Sequence, residues 1–249
     1  MFISGKKLKS CLLYLLIILV TLSAASLLAS KYALSVTHIT ASTGKISSSL
    51  RIVQLTDLHD SSFGRGNSRL IRKVKEQDPD VILITGDLVN AKQENTEIAV
   101  NLIKNLVKIA PVYCSDGNHE VEYQENYGTD LHELYREAGA QILDREYQDV
   151  EIAGQQLRIG GIYGYCLPAK YESEARADET EFLTRFQDTD RLKILMCHMP
   201  VCWVINESLD EWNVDYVFAG HVHGGEVILP FAGGIYAPDM GWFPGRLEG

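Results

Sequence analysis

The sequence lacks several features that would define its class directly. Its five cysteines show no CxxC spacing, which favours structural thiols over a disulfide framework or a zinc knuckle. Internal repeats, heptads and low-complexity tracts are missing apart from one Ser/Thr-rich linker. Basic residues are also scarce, because 23 Lys+Arg stand against 33 Asp+Glu and give a net charge of −10. This balance argues against nucleic acid as a partner, since its phosphates need a basic surface.

The N-terminus carries the clearest compositional signal. Residues 11–29 form a run without any charge, which is long enough for a membrane-spanning helix. Lys6, Lys7 and Lys9 precede the run, so the positive-inside rule places residues 1–10 in the cytoplasm and the remainder outside. We therefore predict a single-pass protein of the cell membrane with an extracytoplasmic domain. A cleaved signal peptide is the alternative, but no clean A-x-A site follows the run.

The remaining chain predicts an α/β domain. Residues 30–50 are read as a linker or a first strand, and residues 51–249 as the domain. Short apolar runs predict strands at Arg51–Leu55, Val81–Thr85, Pro111–Ser115, Lys193–Cys197 and Tyr216–Ala219. Helical periodicity predicts helices at Ser68–Gln77, Thr96–Ile109 and Asp130–Ala138. This alternation indicates a mostly parallel sheet, and a hairpin signature at 150–159 adds a second sheet, so we expect a two-sheet α/β sandwich.

Metal-ligating residue types follow each of the five predicted strands. In an open α/β sheet, ligands bind at the carboxyl ends of the strands. Each element alone is commonplace, since Gly-Asp after a strand is usually a turn and a lone His is usually a satisfied polar residue. Together they predict one metal centre, because these types suit hard or borderline metals. Its members are Asp57, His59, Asp87, Asn118, His198, His221 and His223, with His119 beside them.

The ordered set D-x-H, GD, GNHE, H and GH-x-H resembles the calcineurin-like metallophosphoesterases over about Ile52 to Tyr236. The stretches DLHDSSFG, GDLV, GNHE and GHVHGG are similar to a bacterial subgroup with an N-terminal membrane segment. That subgroup includes enzymes similar to UDP-2,3-diacylglucosamine pyrophosphohydrolases. The resemblance implies the two-sheet fold of the family and two divalent metal ions, which could be Mn, Fe, Zn or Mg.

The resemblance also implies a role for each site residue. Asp57, His59 and His223 would hold one metal ion, and Asn118, His198 and His221 the other, with Asp87 bridging them. His119 would be catalytic, either stabilising phosphoryl oxygens or protonating the leaving oxygen.

Two departures from the family pattern stand out. Asn90 occupies a position where some members have an Asp that orients and charges this His, and we expect Asn90 to orient the ring without stabilising its cation. Relatives usually continue beyond the GWFPG segment, so we expect the C-terminal part of the second sheet to be truncated.

The function predicted from the sequence is hydrolysis of a phosphodiester or pyrophosphate bond. The substrate is expected to be a phosphoester, including a lipid-linked or nucleotide-sugar one. A phosphomonoesterase or phosphoprotein phosphatase with the same centre is one alternative, because substrate choice resides in loops rather than in the metal ligands. A non-catalytic scaffold of the same fold is the other, although every predicted ligand position is filled.

Overall fold

The computed structural model describes residues 5–164, 177–205, 207–223, 228–229, 233–234, 236–237 and 240–244. The chain divides into two compact units, Met1–Ala41 and Ser42–Gly249.

The first unit contains helix α1, Gly5–Tyr32, which includes the uncharged run. Between Leu12 and Leu22 its large apolar side chains are more than half exposed. Among the residues whose side chains are described, no helix is both long and apolar enough to cross a membrane. The predicted transmembrane span at 11–29 is therefore not confirmed. Residues 33–40 form no strand, so this part of residues 30–50 follows the linker reading and not the first-strand reading.

The second unit begins with a parallel sheet. Its strands run in chain order, and each pairs in parallel with the next: β1 Ile52–Leu55, β2 Val81–Thr85, β3 Val112–Ser115 and β4 Gln141–Ile142. The three longer strands were predicted. Strand β4 was missed because only two residues pair there. In β2 every side chain is buried, as expected for a parallel strand covered on both faces.

The second sheet is mixed. It consists of the antiparallel hairpin β5 Glu146–Ile152 and β6 Gln155–Ile162, followed by the parallel strands β7 Leu192–Cys197 and β8 Tyr216–Phe218. One apolar cluster joins residues of both sheets, including Val81, Leu83, Ile159 and Ile194. The core therefore lies between the two sheets, which confirms the predicted α/β architecture. Two short ribbons complete the described part, formed by β9 Ile228–Leu229 with β10 Gly233–Gly234, and by β11 Tyr236–Ala237 with β12 Gly241–Trp242.

Helices connect the strands. The predicted ones are α2 Ser68–Glu76, α3 Glu97–Leu106 and α5 Leu131–Glu137. The others are α4 Asn118–Tyr127, α6 Ala177–Phe186 and α7 Val201–Val204. Phe182 and Phe186 of α6 pack with Trp203 and with Leu195 of the second sheet. Helix α4 was missed because it has no apolar periodicity: only Glu120 and Tyr123 are buried in it.

Residues 42–50 pack on the second sheet rather than extending freely. Ile46 and Leu50 contact the central apolar cluster. Lys45 Nζ lies 2.9 Å from Asp215 Oδ2, and the backbone N–H of Ser47 donates to Gln155 Oε1 at 2.8 Å. This half of the predicted linker is therefore attached to the domain.

Candidate metal centre

The strand ends of both sheets bring the predicted ligands together. Asp57 and His59 follow β1, Asp87 follows β2, and Asn118 opens α4 after β3. His198 follows β7 directly, and His221 and His223 come after β8. The two sheets therefore present their carboxyl-end loops to the same small volume.

The backbone of these loops is unusual. Five of the seven predicted ligands have positive φ: Asp57 (53°), His59 (45°), Asp87 (56°), His221 (68°) and His223 (50°). Positive φ is uncommon outside glycine and tends to cluster at functional sites, where the surrounding structure offsets the strain. The D-x-H and H-x-H segments are therefore not extended strands, and left-handed turns orient their side chains.

One group of ligand atoms contains Asp57, His59 and His223, all within 4.8 Å of one another. His59 Nε2 lies 3.3 Å from His223 Nε2, which lies 3.5 Å from Asp57 Oδ1. Atoms bound at about 2.1 Å to one tetrahedral ion are about 3.4 Å apart, so this spacing fits a shared cation. Burial, together with the neighbouring histidines, lowers the pKa of His59 despite Asp87 and Asp57, which favours the neutral form that a ligand needs.

A second group surrounds the Asn118 amide oxygen. Asn118 Oδ1 lies 3.2 Å from His198 Nε2 and 3.0 Å from His221 Nδ1. His198 Nδ1 lies 2.7 Å from the carbonyl oxygen of Thr85, which can only accept, so Nδ1 carries a proton and donates it there. This bond turns Nε2 towards Asn118 and Asp87. Orientation of a ligating histidine through its other ring nitrogen is typical of metal sites.

Asp87 lies between the two groups. Its Oδ2 is 3.2 Å from His198 Nε2 and 3.7 Å from His59 Nε2, while its Oδ1 accepts the backbone N–H of His119 at 2.9 Å. Only 1% of Asp87 is exposed. Burial would raise its pKa, but the hydrogen bond and charge of His198, with the N–H of His119, bring the pKa below its usual value. Burial opposes the charged form of His198 as well, yet Asp87 and Asp57 raise the pKa of His198 to about 9.

His119 lies at the edge of this cluster. Its ring makes an edge-on contact with His59 at 4.4 Å between centroids, and its ligand atom groups with His59 and Asp87. Its Nδ1 accepts the backbone N–H of Ala91 at 3.1 Å. An accepting Nδ1 carries no proton, so the neutral ring holds its proton on Nε2.

Asn90 does not orient this ring, contrary to expectation. Its Oδ1 instead accepts the backbone N–H of Lys92 at 3.0 Å. The short Asn side chain caps its own turn, which is a common local use of this residue. The backbone of the following residue, Ala91, supplies the hydrogen bond to His119 that was expected from position 90.

Glycine is required where the loops meet. A Cβ at Gly117 would lie 2.2 Å from Asp87 Oδ1, and one at Gly220 would lie 2.1 Å from Thr56 Oγ1. Gly86 has φ +91°, and a Cβ there would lie 2.5 Å from the nitrogen of Gly117. Close approach of the backbone segments at a crowded centre therefore accounts for glycine at these positions.

Two carboxylates were not recognised from the sequence as part of the site. Glu120, 1% exposed, accepts backbone N–H groups of Asp87 (2.7 Å), Leu88 (2.8 Å) and Gly117 (2.9 Å). Burial, with the charges of Asp87 and Asp116, raises the pKa of Glu120 to about 7. Asp60 Oδ2 accepts the N–H of Asn90 at 3.0 Å. A Glu three residues after Gly117 is a helix-capping signal, so the sequence did contain a sign of Glu120.

The donor set therefore fits divalent cations. It combines imidazole nitrogens, carboxylate oxygens and one amide oxygen, at spacings suited to shared ions. The loops that present these donors are fixed by buried hydrogen bonds and by glycines that admit no side chain.

Comparison with known proteins identifies the family. The calcineurin-like phosphoesterase profile matches residues 50–225, and the chain belongs to this family. It is 28% identical over 185 residues to the uncharacterized metallophosphoesterase YkoQ of Bacillus subtilis (strain 168), covering 73% of this chain and 63% of that protein. It is also 28% identical over 198 residues to YkuE, another uncharacterized metallophosphoesterase of the same strain, covering 77% and 64%. The chain thus matches less than two thirds of the length of these relatives.

A solved structure was also compared. The 5'-nucleotidase precursor from Thermus thermophilus aligns with a TM-score of 0.48 and 16% identity, covering 73% of this chain and 43% of that chain. This likeness carries no weight for the substrate. Family membership and the curated relatives support a metal-dependent phosphoester hydrolase.

Proposed function

We propose that this chain hydrolyses a phosphodiester or pyrophosphate bond with two divalent metal ions. The observation that carries the proposal is the position of Asp87 Oδ2, which faces His198 on one side and His59 on the other. A single carboxylate between two sets of donors is the arrangement that a pair of ions sharing one ligand requires.

Each residue then has a defined task. Asp57, His59 and His223 would hold one ion, Asn118, His198 and His221 would hold the other, and Asp87 would serve both. Bound there, Mn, Fe, Zn or Mg ions supply Lewis-acid stabilisation for in-line displacement at phosphorus. Asn118 contributes a neutral oxygen, which keeps the summed negative charge low enough for an anionic ester to approach.

His119 acts as a hydrogen-bond donor to the phosphoryl group. Its Nδ1 accepts the Ala91 N–H, so the proton on Nε2 is available to a substrate oxygen. If the neutral ring transferred that proton to the leaving oxygen, it would become an imidazolate anion, which is strongly basic and therefore unfavourable. The hydrogen bond therefore favours stabilisation of phosphoryl charge over general-acid catalysis.

The role of His119 can be measured with paired esters. If His119 stabilises phosphoryl charge, His119→Ala slows a nitrophenyl diester and an alkyl diester by similar factors. A loss confined to the alkyl ester, whose leaving group needs a proton, would instead establish His119 as the acid.

The substrate class is proposed from the resemblance to bacterial enzymes similar to UDP-2,3-diacylglucosamine pyrophosphohydrolases. We infer a lipid-linked or nucleotide-sugar diphosphate. The test compares bis-nitrophenyl phosphate, nitrophenyl phosphate and a UDP-sugar under each of the four metals, with Asp87→Asn as the inactive control. Preference for the monoester would indicate a phosphomonoesterase. Metal binding without turnover of any of the three would indicate a scaffold.

We also propose that residues 11–29 anchor the chain in the cell membrane, with the N-terminus cytoplasmic and the domain outside. Support comes from the uncharged run, from Lys6, Lys7 and Lys9 before it, and from the exposed apolar side chains of α1. A reporter fused to the C-terminus tests the topology. Cytoplasmic reporter activity would refute it and would favour a cytoplasmic lipid precursor as substrate.

A further inference from the structure

The loop after β2, residues 87–91, directs five consecutive backbone N–H groups onto side chains. Three side chains accept these bonds: His119 and Glu120 of α4, and Asp60 of the loop after β1. The bonds are Asp87 N to Glu120 Oε2 (2.7 Å), Leu88 N and Val89 N to Glu120 Oε1 (2.8 and 3.4 Å), Asn90 N to Asp60 Oδ2 (3.0 Å), and Ala91 N to His119 Nδ1 (3.1 Å). Nothing in a tight turn requires this many side-chain acceptors.

We propose that Glu120 and Asp60 are positioning residues with separate tasks in this loop. Glu120 fixes Asp87 for the metal ions, and Asp60 fixes the peptide that holds His119 for the phosphoryl group. The second task rests on the function proposed above, whereas the first concerns metal binding alone.

Glu120 ties two ligand-bearing loops together. Its Oε2 accepts both the N–H of Asp87 and the N–H of Gly117, the residue before Asn118. One carboxylate oxygen therefore sets the distance between the bridging ligand and the first residue of α4. The left-handed turn at Asp87, with φ 56°, is held by the same bond.

Asp60 acts on the other end of the loop. Its backbone N–H donates to Leu88 O at 2.9 Å, and its Oδ2 accepts the N–H of Asn90. Within the part of the chain that the structure describes, its buried Oδ1 has no hydrogen-bond partner, which is costly for a carboxylate. A contribution to stability therefore does not account for the Asp60 carboxylate. A functional role does account for it: Asp60 holds the N–H of Asn90, and the N–H of the next residue, Ala91, fixes the form of His119 that carries its proton on Nε2.

Isosteric substitutions separate the two tasks. Glu120→Gln replaces one accepting oxygen with an NH₂ group that faces backbone donors, so Asp87 is released. Loss of a group that orients a metal ligand typically costs about 10–100-fold in metal affinity. Asp60→Asn leaves Asp87 held by Glu120, so metal affinity should stay within about twofold. The amide oxygen of Asn can still accept the N–H of Asn90, but it is a weaker acceptor than the carboxylate, so the segment that fixes the form of His119 should be held less firmly.

Matched controls are present in the chain. Glu125→Gln makes the same change on the exposed side of α4. Asp78→Asn removes an exposed carboxylate from a residue with φ 49°, close to the φ of 60° at Asp60. Any effect of the preference of Asn for this backbone conformation is therefore present in both variants and cancels when they are compared. Both controls should bind metal and turn over substrate like the wild type.

Metal affinity is measured by calorimetric titration of Mn²⁺ into the purified, metal-stripped full chain. We expect Glu120→Gln to bind at least tenfold more weakly and Asp60→Asn to match its control. Wild-type affinity of a folded Glu120→Gln would overturn the first task, and a tenfold loss in Asp60→Asn would overturn the separation of tasks. Should Glu120→Gln fail to fold, Glu120→Asp withdraws the carboxylate by one methylene, and wild-type affinity in that folded variant would be equally decisive.

The second task has a readout that does not depend on turnover. Nitrogen-15 spectra of the imidazole groups distinguish the two neutral forms of His119 in the wild type from those in Asp60→Asn. We expect one form in the wild type and a mixture in the variant. In the rate assay, Asp60→Asn combined with His119→Ala should be no slower than His119→Ala alone. An unchanged form of His119, or additive rate losses, would refute the role of Asp60, whereas a wild type without turnover would instead refute the proposed function.

Discussion

Gly220→Ala is the substitution whose effect can be worked out most directly from the structure. The new Cβ would lie 2.1 Å from Thr56 Oγ1, 2.8 Å from Asp57 Oδ2 and 3.0 Å from His198 Nδ1. Ordinary contact begins at 3.4 Å, so the nearest atoms must separate by more than 1 Å.

Movement of either residue disturbs predicted metal ligands. If Thr56 moves, it gives up its 2.9 Å hydrogen bond to Asp57 Oδ2. If Gly220 moves, its 3.0 Å bond to the carbonyl of His198 is strained and His221 moves with it. A misplacement of about 1 Å costs about 10²-fold in rate, and we expect a loss of that order in kcat/KM.

The assay is hydrolysis of bis-nitrophenyl phosphate with Mn²⁺, together with calorimetric Mn²⁺ titration. Gly44→Ala is the matched control, because a Cβ there meets no atom of the described residues within 4 Å. Adding Thr56→Ala to Gly220→Ala removes the nearest atom and should restore part of the rate. Wild-type turnover and affinity in Gly220→Ala would refute the reasoning that this glycine is required by the ligands around it.

Three further predictions follow from the site and its surroundings. Asp87→Asn should keep the fold but lose most turnover, and elemental analysis should find fewer than two ions per chain, since the shared charge is gone. Saturating Mn²⁺ should raise the free energy of unfolding by about 2.7 kcal/mol at 100 times its Kd, and a chelator should remove the gain in thermal melts. The hydrogen bond from His132 to Asp116 raises the pKa of His132, so protonated His132 stabilises the fold at pH 6. His132→Gln should therefore lower the free energy of unfolding at pH 6, and this difference from the wild type should disappear as pH rises through the raised pKa. The measurement is thermal unfolding of the wild type and of His132→Gln at pH 6 and pH 9, and an equal loss of stability at the two pH values would contradict this.

The sequence predicted the parts of the fold that depend on short-range pattern. The buried run Val81–Thr85 was placed to the residue, because a parallel strand covered on both faces is continuously apolar. Helix α4 was not predicted because its buried residues are Glu120 and Tyr123, which give no apolar periodicity. Glu120 is also the residue whose carboxylate accepts hydrogen bonds from two loops of the site.

The convergence of the predicted ligands followed from the topology. Parallel strands deliver their carboxyl ends to one edge, so Asp57, Asp87 and Asn118 were expected together. The details were not predictable in the same way. The left-handed turn at Asp87 and the N–H of Ala91 that replaces Asn90 are contacts between chain segments, and residue type alone does not specify them.

The left-handed backbone of Asp57, His59, Asp87, His221 and His223 limits which substitutions these positions can accept during evolution. Asn, Asp, His and Gly tolerate this conformation, whereas Val and Ile do not. A lineage that abandoned metal binding would therefore drift first to Asn or Gly at these positions, and its loops would keep their shape after the chemistry was gone. In a descendant of such a lineage, the left-handed backbone at these positions would still mark where the metal ligands had been, although the ligand side chains themselves were gone.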